Sequence, residues 1–246
     1  MAKWTAGLAI VVMSAASCGA DDTSEAVIDP GDGGAFAPVI DATDFVDVVD
    51  NPYLPLTVGS RWAYEGASDG EAERIEVVVT DERRTVMGVD VTVVRDTVRV
   101  DGNIVEETLD WFAQDREGNV WYFGEESTEY EDSKVVSTEG SWEAGVDGAL
   151  PGIVMPADPK VGLAYRQEYY KGEAEDLGEV IRVGQRKSVA FGDFDDIVVI
   201  RDWNPLEPDV IEEKYYAPGI GLVFETITAG GDEHAELVEH TGGDDT

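Results

Sequence analysis

The chain has 246 residues and a formal net charge of −36, with 53 acidic residues against 17 Lys and Arg. Such an excess repels phosphate backbones and anionic headgroups, which excludes nucleic acid and electrostatic docking to membranes. The single cysteine excludes an internal disulfide and any multi-cysteine zinc or iron–sulfur centre, while a hydrophobic content of 43% is enough for a folded core.

The first element is an address. Met1-Ala2-Lys3-Trp4 makes a positive start, Thr5 to Ala16 is apolar or small, and Ser14-Ala15-Ala16-Ser17 leads into Cys18. Residues 1–17 therefore read as a signal peptide, with an apolar run too short to span a bilayer as a mature helix. Ala15-Ala16-Ser17-Cys18 resembles the lipobox of bacterial lipoproteins. That resemblance implies a diacylated Cys18 carrying palmitate-type chains, and contact with a membrane through this anchor only. Plain secretion after an A-x-A-like site is the alternative. Residues 18–44, rich in Asp, Gly, Ala and Pro, read as an acidic flexible tether, with an r.m.s. reach of about 28 Å over some 25 residues.

Two β repeats follow, over 45–130 and 159–241. Val58-Gly59-Ser60-Arg61-Trp62 parallels Val161-Gly162-Leu163-Ala164-Tyr165, and Gly70-Glu71-Ala72-Glu73 parallels Gly172-Glu173-Ala174-Glu175. Val93-Val94-Arg95-Asp96 parallels Val199-Ile200-Arg201-Asp202, and Asp110-Trp111-Phe112-Ala113 parallels Lys214-Tyr215-Tyr216-Ala217. Four matches in the same order point to an internal duplication.

Inside each unit the period is two. Val89, Val91 and Val93 alternate with polar residues, then the apolar parity switches to Val94, Val98 and Val100, as at a β-bulge or a strand bending between layers. Asp101-Gly102-Asn103 is a hairpin signal. Val105, Leu109, Trp111 and Ala113 share a parity on the next strand, and Gly172–Val183 reads as strand by comparison with Gly70–Thr80. Residues 131–158 read as a connector loop, with Trp142 to Pro156 the candidate lid or partner-binding segment. Residues 242–246 are an acidic tail. The expected fold class is all-β, an antiparallel meander from two tandem repeats of about 100 residues, curved into a half-barrel, barrel or sandwich.

The opening Pro55-Leu56-Thr57-Val58-Gly59-Ser60-Arg61-Trp62 and the closing Lys214-Tyr215-Tyr216-Ala217-Pro218-Gly219-Ile220-Gly221-Leu222-Val223 resemble segments of uncharacterised secreted bacterial β proteins and lipoproteins. The resemblance implies an extracytoplasmic β-rich body and brings no catalytic motif. No nucleophile elbow, H-E-x-x-H, phosphate loop or dinucleotide fingerprint occurs. His234 and His240, which share a parity, fit a solvent-facing strand.

The expected function is therefore a lipid-anchored, non-enzymatic protein that binds a small molecule, a lipid or an envelope protein. Trp142, Met155, Trp121 and Tyr215 are its candidate ligand-binding aromatics and apolar contacts. The alternative is a calcium-binding surface protein, with Asp193, Asp195 and Asp196 as the leading ligands and Glu125-Glu126 and Glu129–Asp132 as further acidic runs. A carboxylate-based hydrolase stands third. No resident cofactor other than calcium is suggested. Because only six of the 17 basic residues are Lys, the acidity reads as a salt-adapted outer surface, with folding stability expected to rise toward molar salt.

Overall fold

A computed structural model describes residues 36–68 and 70–243, so the signal peptide, Cys18 and residues up to 35 lie outside the described residues. After a 3-10 turn at Ala42–Asp44 the chain is antiparallel strand almost throughout. The first part carries β1 Phe45–Val46, β2 Arg61–Ser68, β3 Glu71–Val86, β4 Val89–Val100, β5 Asn103–Asp115 and β6 Val120–Glu131. Three strands follow in the expected connector: β7 Lys134–Ser137, β8 Trp142–Glu143 and β9 Leu150–Met155. The rest comprises β10 Ala164–Arg166, β11 Glu168–Tyr169, β12 Leu177–Val189, β13 Gly192–Trp203, β14 Ile211–Ala217, β15 Gly221–Ala229 and β16 His234–Thr241.

Hydrogen-bonded neighbours run β10-β12-β13-β14-β15-β16-β2-β3-β4-β5-β6-β9-β11. The two ends of that row, β10 and β11, are one stretch of chain interrupted only at Gln167. Its first half pairs with β12 and its second half with β9. The sheet thus bends round until it nearly closes, and of the three expected shapes the protein takes the barrel.

Each half supplies six barrel strands in the same order, β2-β3-β4-β5-β6-β9 and β10/β11-β12-β13-β14-β15-β16, and the last strand of each pairs with the first of the other. The turns into the halves also match. The Gly59 amide donates to the Val79 carbonyl (2.9 Å) and the Val79 amide to the Ser60 carbonyl (3.0 Å). Likewise Gly162 donates to Val180 and Val180 to Leu163, both at 2.9 Å. At both junctions a glycine faces partner backbone: a Cβ on Gly66 would sit 2.1 Å from the His234 carbonyl, and one on Gly152 would sit 2.4 Å from the Arg166 carbonyl.

The parity switch in β4 has a structural cause. Pairing with β3 is regular from Val100↔Glu73 to Val94↔Val79, then skips to Thr92↔Arg83, so Thr80–Glu82 bulge opposite Val93. On one side of that bulge Val94, Val98 and Val100 face the barrel interior. On the other, Val89, Val91 and Val93 are buried on the opposite face, where Arg84 stacks over Trp111 and pairs with Glu143. The β4–β5 turn at Asp101-Gly102 has positive φ at both residues, as its sequence foretells.

Three expectations need correcting. The connector is no structureless loop, because β9 is a wall of the barrel paired to β6 and β11. Its alternation was hidden by Pro151 and Gly152, residues that punctuate loops elsewhere. Residues 36–44 of the expected tether pack on the body: Phe36 meets Tyr169 edge-on at 6.0 Å, and the Arg116 amide donates to the Asp44 carbonyl at 2.8 Å. In Gly172–Val183, strand begins only at Leu177, because the Ala174 amide turns back onto the Tyr170 carbonyl (2.8 Å).

Outside, ion pairs cross neighbouring strands. Arg74 meets Glu65 (3.3 Å), Glu76 (3.6 Å) and Glu239 (3.0 Å), and Arg95 meets Glu82 at 2.9 Å. A barrel wall facing lipid carries an apolar band at this place. This one carries charge. Among the described residues no helix is long and apolar enough to cross a membrane.

Candidate functional site: the barrel hollow

The strands enclose a hollow of about 1160 Å³. Inward positions follow the two-residue period: 94, 96, 98 and 100 on β4, and 104, 106, 108, 110 and 112 on β5. One end is apolar, where Leu54, Leu56, Phe112, Val154, Ile220 and Leu222 come together. Here the Trp62 indole N–H donates to the Ile220 carbonyl (2.8 Å) and the Tyr64 hydroxyl to the Leu222 carbonyl (3.0 Å). The other end is a mouth formed by the Asp101 turn and by Glu131, Asp132, Val136 and Glu139 around β7.

Between floor and mouth stand carboxyls. Asp96, Glu106, Asp110, Glu125, Glu168 and Glu225 all line the hollow, and Lys214 is the one cation among its lining residues. Tyr122 sits between two of them, with its hydroxyl oxygen 2.7 Å from Asp110 Oδ1 and 2.8 Å from Glu125 Oε2. A phenol donates one proton, so both contacts are favourable only when one carboxyl is itself protonated. Burial, with the Asp110 charge beside it, pushes Glu125 up to about 8. Burial also pushes Asp110 up to about 6, against the opposing Tyr122 hydrogen bond. The Asp110–Glu125 pair therefore holds on to a proton that two exposed carboxyls would have released.

Asp96 is raised well above the usual carboxylate range by burial and by Asp110, Glu225 and Glu106. Its Oδ1 is shut off from solvent and has no hydrogen-bond partner. Burial and Glu212 push Glu225 up to about 8, and burial and Asp176 hold Glu168 high as well. On the opposite wall Lys214 Nζ lies 3.1 Å from Asp202 Oδ2 and 3.2 Å from Glu212 Oε2. The Asp202 contact is held by charge rather than by a well-aligned hydrogen bond. Burial opposes the Lys214 charge, but Glu212 and Asp202 outweigh it and keep the ammonium protonated.

The four ligand residues expected from sequence are not brought together. Trp142 is buried edge-on to Tyr122 at 5.5 Å, just behind the lining. Met155 is wholly buried, and Trp121 is buried with its N–H donated to Asp115 Oδ2 (2.8 Å). Tyr215 donates to Glu213 Oε2 at 2.7 Å and stands beside Arg182 and Lys187. None of the four lines the hollow.

The three aspartates of the expected calcium site are exposed at the start of β13. Asp193 accepts from the Ser188 hydroxyl, Asp195 pairs with Arg186 (2.7 Å), and Asp196 takes a positive φ. Among the described residues no group of three or more His, Cys, Asp and Glu side chains is arranged to hold a metal. A register shift between Leu237 and Glu239 separates the two histidines; His240 stacks on Trp62 at 5.1 Å, while His234 is exposed at the other end of β16. Cys18 lies outside the described residues.

Sequence reasoning missed the inner carboxyls because it followed the apolar parity of β5. Leu109, Trp111 and Ala113 of the odd set face away from the hollow, whereas the even set lines it and Val105 joins it at the β4–β5 register shift. A signal was present. Asp96 interrupts Val94, Val98 and Val100 on the parity that faces inward.

No protein-family model matches the chain, and no curated protein matches it. Among solved structures, it is similar to a predicted exported protein with a YmcC-like fold from Bacteroides fragilis, at 13% identity and a TM-score of 0.45. That match covers 77% of this chain and 99% of the other. It is also similar to a predicted lipoprotein from Parabacteroides distasonis, at 14% identity and a TM-score of 0.35, covering 78% and 99% of the two chains.

Proposed function

We propose that the protein is a non-enzymatic binding protein of the cell envelope, anchored through Cys18, whose barrel hollow holds a small ligand with an apolar part. The hollow carries this reading. At about 1160 Å³ it is a little larger than ordinary small-molecule sites, and its polarity is graded from an apolar floor to an acidic mouth. The stretch of sequence between Cys18 and Phe36 is long enough to space the barrel from the membrane surface. The charged outer wall supports contact with lipid through the anchor rather than through the strands.

The test is native mass spectrometry of protein extracted from its own membranes. An organic mass that leaves on denaturation, and that is absent from a Val98→Trp variant with unchanged circular dichroism, is the expected result. Protein that carries nothing and takes up no apolar probe would reject the reading. A bound molecule released in altered form would point instead to hydrolysis at the Asp110–Glu125 pair. Mass analysis of the mature N-terminus checks the anchor, since an unmodified start beyond Cys18 rules it out.

A further inference from the structure

The two halves place equivalent strand pairs in equivalent registers. Val94 pairs with Asp110 and Asp96 with Thr108 in β4–β5; Ile200 pairs with Lys214 and Asp202 with Glu212 in β13–β14. The sequence parallels noted above set Asp96 against Asp202 and Asp110 against Lys214. In the second half the inner aspartate has an ammonium 3.1 Å away. In the first half the position equivalent to that lysine is another acid, and Asp96 Oδ1 is left without a partner. Thr97's backbone amide supports the Asp96 carboxyl, yet Asp110, Glu225 and Glu106 all press negative charge on it.

We propose that the ligand of the hollow is a protonated amine with an apolar tail, whose ammonium takes beside Asp96 the place that Lys214 takes beside Asp202. This rests on the hollow being a ligand site, and it names the ligand's chemistry. Once the Asp96 carboxyl turns its unpartnered oxygen to the hollow, an ammonium N–H supplies the donor that this oxygen lacks, which a quaternary nitrogen cannot do. Trp62, Tyr64 and Tyr122 line the same space with their polar ends engaged by the chain, so what they turn to a ligand is ring edge and face rather than a free donor. The floor of Leu54, Leu56, Ile220 and Leu222 is left for the tail. An anionic head would find no free cation to pair with, because the one cation among the lining residues is held by Asp202 and Glu212.

The experiment is calorimetric titration at pH 7 with four soluble compounds of one chain length: octylamine, octyltrimethylammonium, octanol and octanoate. The amine should bind at least about tenfold tighter than the alcohol, with the quaternary ion between them and no measurable binding of the carboxylate. Asp110→Lys, which builds the second half's ion pair into the first, should abolish the amine's advantage. Asp96→Asn should erase the margin between amine and quaternary ion, and it keeps the test open if Asp110→Lys does not fold. Because the outside is also acidic, Val98→Trp serves as a blocked hollow; an amine preference that survives in it belongs to the surface and overturns the proposal. Alcohol and carboxylate binding as tightly as amine would sink the amine while leaving the hollow as a ligand site. Failure of all four to bind would remove both.

Discussion

The two halves of the barrel share strand order but differ at their first strand and in what they do with the interior. In the first half β2 is unbroken over Arg61–Ser68 and pairs along its whole length with β3 and, on its other edge, with β16. Its counterpart splits at Gln167 into a three-residue and a two-residue piece. The first half leaves most of the hollow in front of its strands. The second turns Val180, Val198 and Ile200 inward on the parity of Asp202, each no more than 1% exposed and none of them lining the hollow. One architecture thus carries a packed wall and an open one, and the short seam lies between them. The lesson is that the packed half supplies stability and the open half supplies chemistry.

The largest effect should come from the junctions. Gly66→Ala and Gly152→Ala each drive a Cβ into partner backbone, and each should cost about 3 kcal/mol or more in urea denaturation. The β16–β2 ladder cannot shift without disturbing seven paired residues, whereas two pairs hold the seam, so Gly66→Ala should cost more. Equal losses would show that the seam is as firm as the full ladder.

Next comes the packed half's internal ion pair. Lys214→Met strands Asp202, which is 7% exposed, and Glu212; with the lysine side chain a quarter exposed, about 2 kcal/mol should be lost at pH 8. Burial pushes Asp202 up to about 6, so the loss should shrink at pH 5, where its carboxyl takes a proton. A loss that does not change with pH would mean that charge is not what Lys214 contributes.

The inner carboxyls of both walls set a smaller, graded effect. Glu125 and Glu225 are each held up at about 8, mainly by burial. Below about pH 4.5 they are protonated whether the chain is folded or not, and their contribution is fully present. Between there and pH 8 the unfolded chain releases protons that the barrel retains, so stability falls as pH rises. The slope is at most about 1.4 kcal/mol per pH unit for each group, and water in the hollow reduces it. The melting temperature should therefore drop from pH 5 to pH 8. Glu125→Gln should remove part of that drop and gain about 1 kcal/mol at pH 8. A curve equally steep in the variant would clear Glu125 of any part in it.

The smallest effect belongs to the outer wall. Arg99 lies 3.6 Å from Glu76 with both side chains partly exposed, so Arg99→Ser should cost under about 0.5 kcal/mol and less still in salt. A larger loss would mean that the outer charge lattice acts as a network.

Strand period, the β4 switch and the Asp101 hairpin were all legible in the sequence, because alternation and turn chemistry are local. The β9 wall was not, since Pro151 and Gly152 disguise a strand whose pairing is decided by distant chain. The site was largely hidden. In a chain this acidic Asp96, Asp110 and Glu225 look like any other surface acids, and only curvature turns their side of the sheet inward. The sequence reading put the charge on a salt-adapted exterior; the barrel encloses a share of it.

The pairing of β16 with β2 also governs when the protein can exist at all. Thr241 is the register partner of Arg61, so the second edge of the first barrel strand is covered only by β16, the last strand of the second half. Until that pairing forms each half is an open sheet with two unsatisfied rims, the kind of surface that recruits other chains. Contacts of such high order form slowly. A C-terminal truncation ending before His234 should accordingly yield an aggregating sheet rather than a smaller barrel.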